Sequence, residues 1–277
     1  MNKKNFVIIG KPLGHSLSPV LHNYWFKKYK IEAAYNLLEI EESEIPRVIE
    51  RIKKKELSGI NVTLPYKQKV IQYLNKVVND AKDSHSVNTI FLDHHDNVVG
   101  ENTDVFGFQA GYLKEIVDPI KKNQEALILG AGGVSSSIIL ALKKSSIHNI
   151  TLTNRTYEKS LFIKKKFPDI KIINWSNYKK ESKNFDIIIN ATSLGLLGNA
   201  EFDTFFENVK TNLIYIDTIY NPLETKMIKN LKTKNIKTFN GLDMFLYQGQ
   251  KAFYIWNKIN PEIDDTLVNL LEMTIKK

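Results

Sequence analysis

Apolar runs of a few residues recur along the chain, separated by segments whose apolar positions follow a helical period. The runs 6–9, 35–38, 59–63, 89–92, 126–129, 150–153, 186–189, 213–217 and 237–239 read as strands. Helices lie between most of them. Ser18-Pro19 predicts one start, with serine as the N-cap and proline at the first helical position. Val20, Leu21, Tyr24 and Trp25 follow it at helical spacing. Residues 103–117, 134–144 and 244–259 also read as helices. Strand–helix–strand alternation of this kind predicts an α/β fold with parallel sheet. The division falls near residue 102. One domain covers 1–102, and a second α/β domain covers 103–240 and opens with a glycine loop. The segment 241–277 is helical only, so it must pack on one of the other two.

The glycine loop gives the second domain its chemistry. Ala126-Leu127-Ile128-Leu129 runs into Gly130-Ala131-Gly132-Gly133-Val134, and the apolar helix pattern Ile138-Ile139-Leu140-Ala141-Leu142 follows. Strand, glycine turn and helix in this order form a Rossmann-type dinucleotide fingerprint. The first glycine allows the tight turn, the second lets backbone approach a pyrophosphate, and the helix N-terminus offers N–H groups to the phosphates. Ser135 stands at the third small position. An ordinary turn that binds nothing would show the same glycines without this context. At the end of the next strand an NAD enzyme places an acid for the ribose hydroxyls. Here the chain reads Asn154-Arg155-Thr156, with Lys159 nearby. A guanidinium matches a phosphate bidentately, so Arg155 and Lys159 favour NADP over NAD. The alternative is a surface arginine at a helix start.

Charge changes this picture little. The net charge is +9, and three arginines (Arg47, Arg51, Arg155) stand against thirty-six lysines. The lysines are scattered, and their densest runs, 53–55 and 164–166, fall on predicted amphipathic helices as solvated faces. No nucleic-acid partner is expected. No apolar stretch is long enough for a signal-peptide core or a membrane span, so a soluble cytoplasmic protein is expected. The chain has no cysteine, which removes thiolate nucleophiles, CxxC zinc sites and iron–sulfur clusters. The histidines show no metal-ligand spacing. Asp93-His94-His95-Asp96 reads as a solvated hairpin turn, and no metal is expected.

The first domain carries polar residues where strands end. Ser16-Leu17-Ser18-Pro19 puts two hydroxyls at a helix start, a place for a carboxylate. Asn61-Val62-Thr63-Leu64-Pro65-Tyr66-Lys67 puts Asn61 and Thr63 on one face of a strand, with Lys67 opening the next helix. Val87-Asn88-Thr89 and Glu101-Asn102-Thr103-Asp104 add two more such clusters. Singly, each is more often a cap or a turn. Together, ahead of a nucleotide fold, they suit a polyhydroxylated acid.

Along its full length the sequence resembles the shikimate dehydrogenase family, single-function form. The motifs are those above together with Asn190-Ala191-Thr192-Ser193-Leu194-Gly195, Asp217-Thr218-Ile219-Tyr220-Asn221-Pro222, Thr225, Gly241, Met244 and Gln248. The resemblance implies NADPH-dependent reduction of 3-dehydroshikimate to shikimate, in aromatic amino-acid biosynthesis. It implies that Lys67 is catalytic with Asp104 as its partner. Ser16 and Ser18, helped by Tyr220, would hold the substrate carboxylate. Thr63, Asn88, Asp104 and Gln248 would bind ring hydroxyls, with Asn61 supporting them. Gly130, Ala131, Gly132, Gly133 and Val134 would carry the pyrophosphate of NADP(H), and Asn154, Arg155, Thr156 and Lys159 its 2′-phosphate. Thr218 and Gly241 would lie near the nicotinamide. The family also packs its C-terminal helices back on the substrate domain, and a monomer or homodimer is expected. Ser84-His85-Ser86 departs from the usual Gly and Ala, which bears on the turn before Asn88. The rivals are a paralogue acting on quinate or a related hydroxy acid, and a shikimate-binding regulator that has lost catalysis.

Overall fold

A computed structural model describes residues 3–117 and 123–275. The expected domain limits at residues 1 and 277 therefore lie outside the described residues. The chain divides into two compact units: residues up to Gly107 together with Leu246–Ile275, and Phe108–Phe245.

In chain order the first elements are β1 (Lys4–Gly10), α1 (Ser18–Lys28), β2 (Ala33–Glu39), α2 (Ile45–Lys53), β3 (Gly59–Val62), β4 (Lys76–Val77), α3 (Asp80–Ser84), β5 (Thr89–Leu92), β6 (Val98–Glu101) and α4 (Asp104–Ile116). The strands form a six-stranded sheet in the order β2-β1-β3-β5-β6-β4. The expected parallel pairing holds for most of this sheet, and one strand departs from it. β1 runs parallel to β2 and β3, but β5 is antiparallel to both β3 and β6. The reason is local. Asp93 sits at a tight turn between β5 and β6, and its Oδ1 accepts from the backbone N–H of His95 and of Asn97, each at 2.9 Å. Two strands joined by so short a turn can only run antiparallel. The mixed sheet has a functional consequence. It brings the start of β5 to the same sheet edge as the ends of β3 and β6.

The second unit continues with β7 (Glu125–Leu129), α5 (Ser135–Lys144), β8 (Asn149–Thr153), α6 (Tyr157–Lys166), β9 (Lys171–Ile172), α7 (Tyr178–Glu181), β10 (Ile187–Asn190), β11 (Ile214–Asp217), α8 (Lys226–Thr233) and β12 (Lys237–Phe239). Its six strands lie in the order β12-β11-β10-β7-β8-β9, all parallel. This is the doubly wound dinucleotide-binding order, with its switch point between β7 and β10. The core is the apolar runs themselves, with Leu127, Leu129, Ile188 and Tyr215 buried under Met227, Ile228 and Leu231 of α8.

Two helices close the chain, α9 (Leu242–Asn257) and α10 (Asp265–Ile275). The single helix expected at 244–259 thus starts earlier and ends at Asn257. The later part of α9 and all of α10 belong to the first unit. Trp256 donates its indole N–H to the Ile90 carbonyl at 3.2 Å, and Tyr24 of α1 donates to Asp264 at 2.8 Å. The predicted serine cap of α1 is corrected. Ser18 is the first helical residue, and Leu17 occupies the cap position without a side-chain bond. The Ser18 hydroxyl is engaged instead by Ser16, at 3.3 Å. Before Asn88, His85 takes a left-handed backbone at φ 50° and ends α3. The turn survives without glycine.

His22 lies at the centre of the seam between α1 and α9, fully buried, with neither ring nitrogen hydrogen-bonded. It stacks on Tyr35 at 4.4 Å between ring centroids and packs against Trp25 and Trp256. Burial disfavours its charged form and lowers its pKa from 6.5 to about 3. The folded state therefore binds fewer protons than the unfolded chain between about pH 3 and 6.5. Stability from this group is complete above pH 6.5 and is lost on acidification, by up to about 1.4 kcal/mol per pH unit. His22→Leu should flatten the fall in urea-unfolding stability between pH 6.5 and 4.5. An unchanged slope would show that His22 is not the titrating group.

Candidate active site

The first unit gathers its polar clusters at one sheet edge. Thr63 follows β3, and its N–H donates to Ile9 of β1 at 2.9 Å. Asn88 precedes β5, with its N–H on the Glu101 carbonyl at 3.1 Å and its carbonyl accepting from Val62 at 2.8 Å. Asp104 opens α4 directly after β6. Lys67 is held through its own carbonyl, which accepts from Val87 at 2.8 Å.

At this edge Lys67 Nζ lies 2.6 Å from Asp104 Oδ2, with side-chain exposures of 11% and 7%. A buried ion pair is stable only where further hydrogen bonds satisfy its remaining atoms. Asn88 supplies one, donating from Nδ2 to Asp104 Oδ1 at 2.9 Å. Asn88 is fixed in turn. Its Oδ1 accepts from the Thr103 N–H at 2.7 Å, and its Nδ2 also reaches the Thr103 hydroxyl at 2.9 Å. Asn61 stands behind it, donating to the Asn88 carbonyl at 3.0 Å and to the Thr89 hydroxyl at 3.2 Å, while the Tyr35 hydroxyl donates to Asn61 Oδ1 at 2.7 Å. Lys67, Asp104, Asn88 and Asn61 are thus members of one network. Sequence reasoning left Thr103, Thr89 and Tyr35 out of it. Thr103 and Thr89 sit inside the quoted clusters and were within reach, whereas nothing local marks Tyr35.

Ser16 and Ser18 meet at the start of α1, where Ser16 Oγ also accepts from the Ser18 N–H at 3.4 Å. Thr63 is half-buried on the loop after β3, and Gln248 is half-buried on α9.

In the second unit the glycine loop follows β7 as the fingerprint requires. Gly130 has φ +108°, and a Cβ there would lie 2.8 Å from the Ala191 carbonyl, so only glycine fits. Gly132 is different: a Cβ there meets nothing within 4 Å. The protein itself leaves the space beside Gly132 open, which is what a pyrophosphate needs. Ser135 Oγ donates to the Gly130 carbonyl at 2.8 Å and accepts from Gly132 at 3.1 Å, so the third small residue ties the loop together. α5 starts behind Val134, which has no polar side chain to cap it. Asn154 Oδ1 accepts from the Ala131 N–H at 3.1 Å, joining the loop to the end of β8. Beyond it Arg155, Thr156 and Lys159 are exposed. Arg155 and Lys159 enter no ion pair among the described residues, and so present their charge to solvent. These residues fit a dinucleotide bearing a 2′-phosphate.

Thr218 is half-buried after β11, and its hydroxyl donates to the Asn190 carbonyl at 2.9 Å. Gly241 N–H donates to the Ile219 carbonyl at 2.8 Å. Tyr220, also half-buried, packs on Phe245 at 4.8 Å. Asp217 was not singled out as a site residue, yet its carboxylate is buried here, and burial raises its pKa to about 7 against the hydrogen bonds it accepts.

No helix among the described residues is long and apolar enough to cross a membrane. Residues 8–90 match the family model of the shikimate dehydrogenase substrate binding domain, and residues 113–242 that of shikimate / quinate 5-dehydrogenase. The chain is 47% identical over 271 residues to the shikimate dehydrogenase (NADP(+)) of Pelagibacter ubique, covering 98% of this chain and 100% of that one. A crystal structure of shikimate dehydrogenase in complex with NADP+ superposes with a TM-score of 0.89 at 32% identity, covering 99% of this chain and 96% of that one. The Thermus thermophilus enzyme in complex with NADP(H) and shikimate gives 0.83 at 25% identity, covering 99% and 98%. The two-domain α/β architecture, the dinucleotide fold and the matches along both halves agree: the chain belongs to the shikimate dehydrogenase family.

Proposed function

We propose that the protein interconverts 3-dehydroshikimate and shikimate with NADP(H), a step of aromatic amino-acid biosynthesis. The observation that carries this reading is the buried Lys67–Asp104 pair at 2.6 Å, braced by Asn88. Bound NADPH supplies a hydride to the ketone carbon. The residues of the chain handle the charge that results. Reduction of a ketone places negative charge on its oxygen, and an ammonium held in a water-poor setting stabilises that charge strongly. Lys67 supplies the ammonium and has protons to give. Asp104 orients it and, with its second oxygen on Asn88, stays in place while doing so. Ser16 and Ser18 at the α1 start suit a carboxylate, and Thr63, Asn88 and Gln248 suit ring hydroxyls. Gly130 through Val134, with Asn154, Arg155, Thr156 and Lys159, would hold the cofactor by its phosphates. Thr218 and Gly241 would flank the nicotinamide, and Tyr220 would assist at the substrate carboxylate.

Initial rates with shikimate and with quinate, each with NADP+ and with NAD+, test the assignment. Shikimate with NADP+ should be the preferred pair, and absence of turnover with shikimate would overturn the reading. Within the same assay Arg155→Ala should raise KM for NADP+ about tenfold, the loss of one charged phosphate contact, and leave KM for NAD+ unchanged. Equal effects on both cofactors would remove the 2′-phosphate role. Lys67→Ala should lower kcat by about 10²- to 10⁴-fold with little change in KM for shikimate. An unchanged kcat would make Lys67 structural.

A further inference from the structure

We propose that Asp217 is a positioning residue for the nicotinamide end of the cofactor, because its sealed carboxylate ties the loops after β10 and β11 to the start of α8. The inference rests on the NADP reading above. Asp217 ends β11 and is fully buried. Among the described residues no lysine or arginine pairs with it. Four donors surround it instead: Asn190 Nδ2 at 3.0 Å, the Ile219 N–H at 3.1 Å, the Thr225 hydroxyl at 2.9 Å and the Tyr215 hydroxyl at 3.4 Å. They come from the end of β10, the loop after β11, the N-cap of α8 and β11 itself. A buried carboxylate without a countercharge is costly, and hydrogen bonds are what offset it.

Its partners are committed on their other sides. Asn190 Oδ1 accepts from the Thr192 N–H at 3.0 Å, and Asn190 Nδ2 also donates to the Leu194 carbonyl at 3.1 Å. The Asn190 carbonyl accepts from the Thr218 N–H at 3.0 Å and from the Thr218 hydroxyl at 2.9 Å. Thr225 Oγ1 accepts from Ile228 N–H at 3.3 Å and so caps α8. A closed circuit results. The Asp217 carboxylate holds the Asn190 side chain, and the Asn190 backbone holds Thr218. Thr218 is pressed against Gly241, where a Cβ would lie 2.2 Å from the Thr218 carbonyl oxygen. The carboxylate therefore sets the height of the surface expected to carry the nicotinamide.

The test separates the two ends of the cofactor. Adenosine 2′,5′-bisphosphate carries the adenine ribose and the 2′-phosphate but no nicotinamide. Asp217→Asn keeps one oxygen for Asn190 and Ile219 but puts an amide donor where Oδ2 accepts from the Thr225 and Tyr215 hydroxyls, and Thr225 Oγ1 already accepts from the Ile228 N–H, so the tie to the start of α8 is weakened. At pH 9, well above the value of about 7 at which this carboxyl protonates, kcat for shikimate oxidation should fall about 10- to 100-fold. Binding of the bisphosphate should stay within about twofold of wild type. Thr225→Val should lower kcat in the same direction, and Thr225→Ser, which keeps the hydroxyl, should recover most of that loss. A kcat equal to wild type in Asp217→Asn would overturn the inference. So would bisphosphate affinity that falls in step with kcat, the mark of general loosening of the unit. Wild type that binds neither NADPH nor the bisphosphate would instead overturn the cofactor reading, and the inference with it.

Discussion

An ammonium and a carboxylate at 2.6 Å, both almost out of water, make a demanding arrangement for the fold to support. Their mutual attraction does not by itself offset the loss of hydration. The surrounding chain has to supply hydrogen bonds, and much of the first unit is arranged to do so. Asn88 satisfies Asp104, Thr103 fixes Asn88, and Asn61 braces the Asn88 backbone with help from Tyr35. Removing one partner of such a network leaves an uncompensated group behind, so its members act together.

That network depends on topology. β3 and β6 both end at the edge where the pair sits, and β5 begins there because it alone runs the other way. A sheet with β5 parallel would have sent Asn88 to the opposite edge. The turn at Asp93, read from the sequence as a solvated hairpin, is thus what brings Asn88 to Asp104. In the second unit the same principle takes another form. Every strand is parallel and the carboxyl ends face one way: the glycine loop and Asn154 follow β7 and β8, and Asn190 and Asp217 are the last residues of β10 and β11.

The nine strand runs and the glycine fingerprint were legible because their signals are local: apolar runs with turns around them, and glycine where φ is positive. The strands β4 and β9, of two residues each, carry no such run. The cap of α1 was misread because Ser18 looks like a cap in isolation, whereas its hydroxyl is turned to Ser16. Asn61, Asn88 and Asp104 were legible as polar residues beside extended segments, and the family resemblance supplied their roles and that of Lys67, which was expected to open a helix and lies instead in the turn before the 3-10 helix Lys69–Tyr73. Tyr35 and Asp217 were not, because each matters through partners distant in sequence: Asn61 for the one, Asn190 for the other.

On this reading Lys67 and Asp104 form one functional unit. A double-mutant cycle on kcat measures this directly, with Lys67→Met, Asp104→Asn and the double variant assayed for shikimate oxidation by NADP+. If the pair acts as a unit, the double variant is barely slower than the worse single variant. Independent, multiplicative losses would contradict the account.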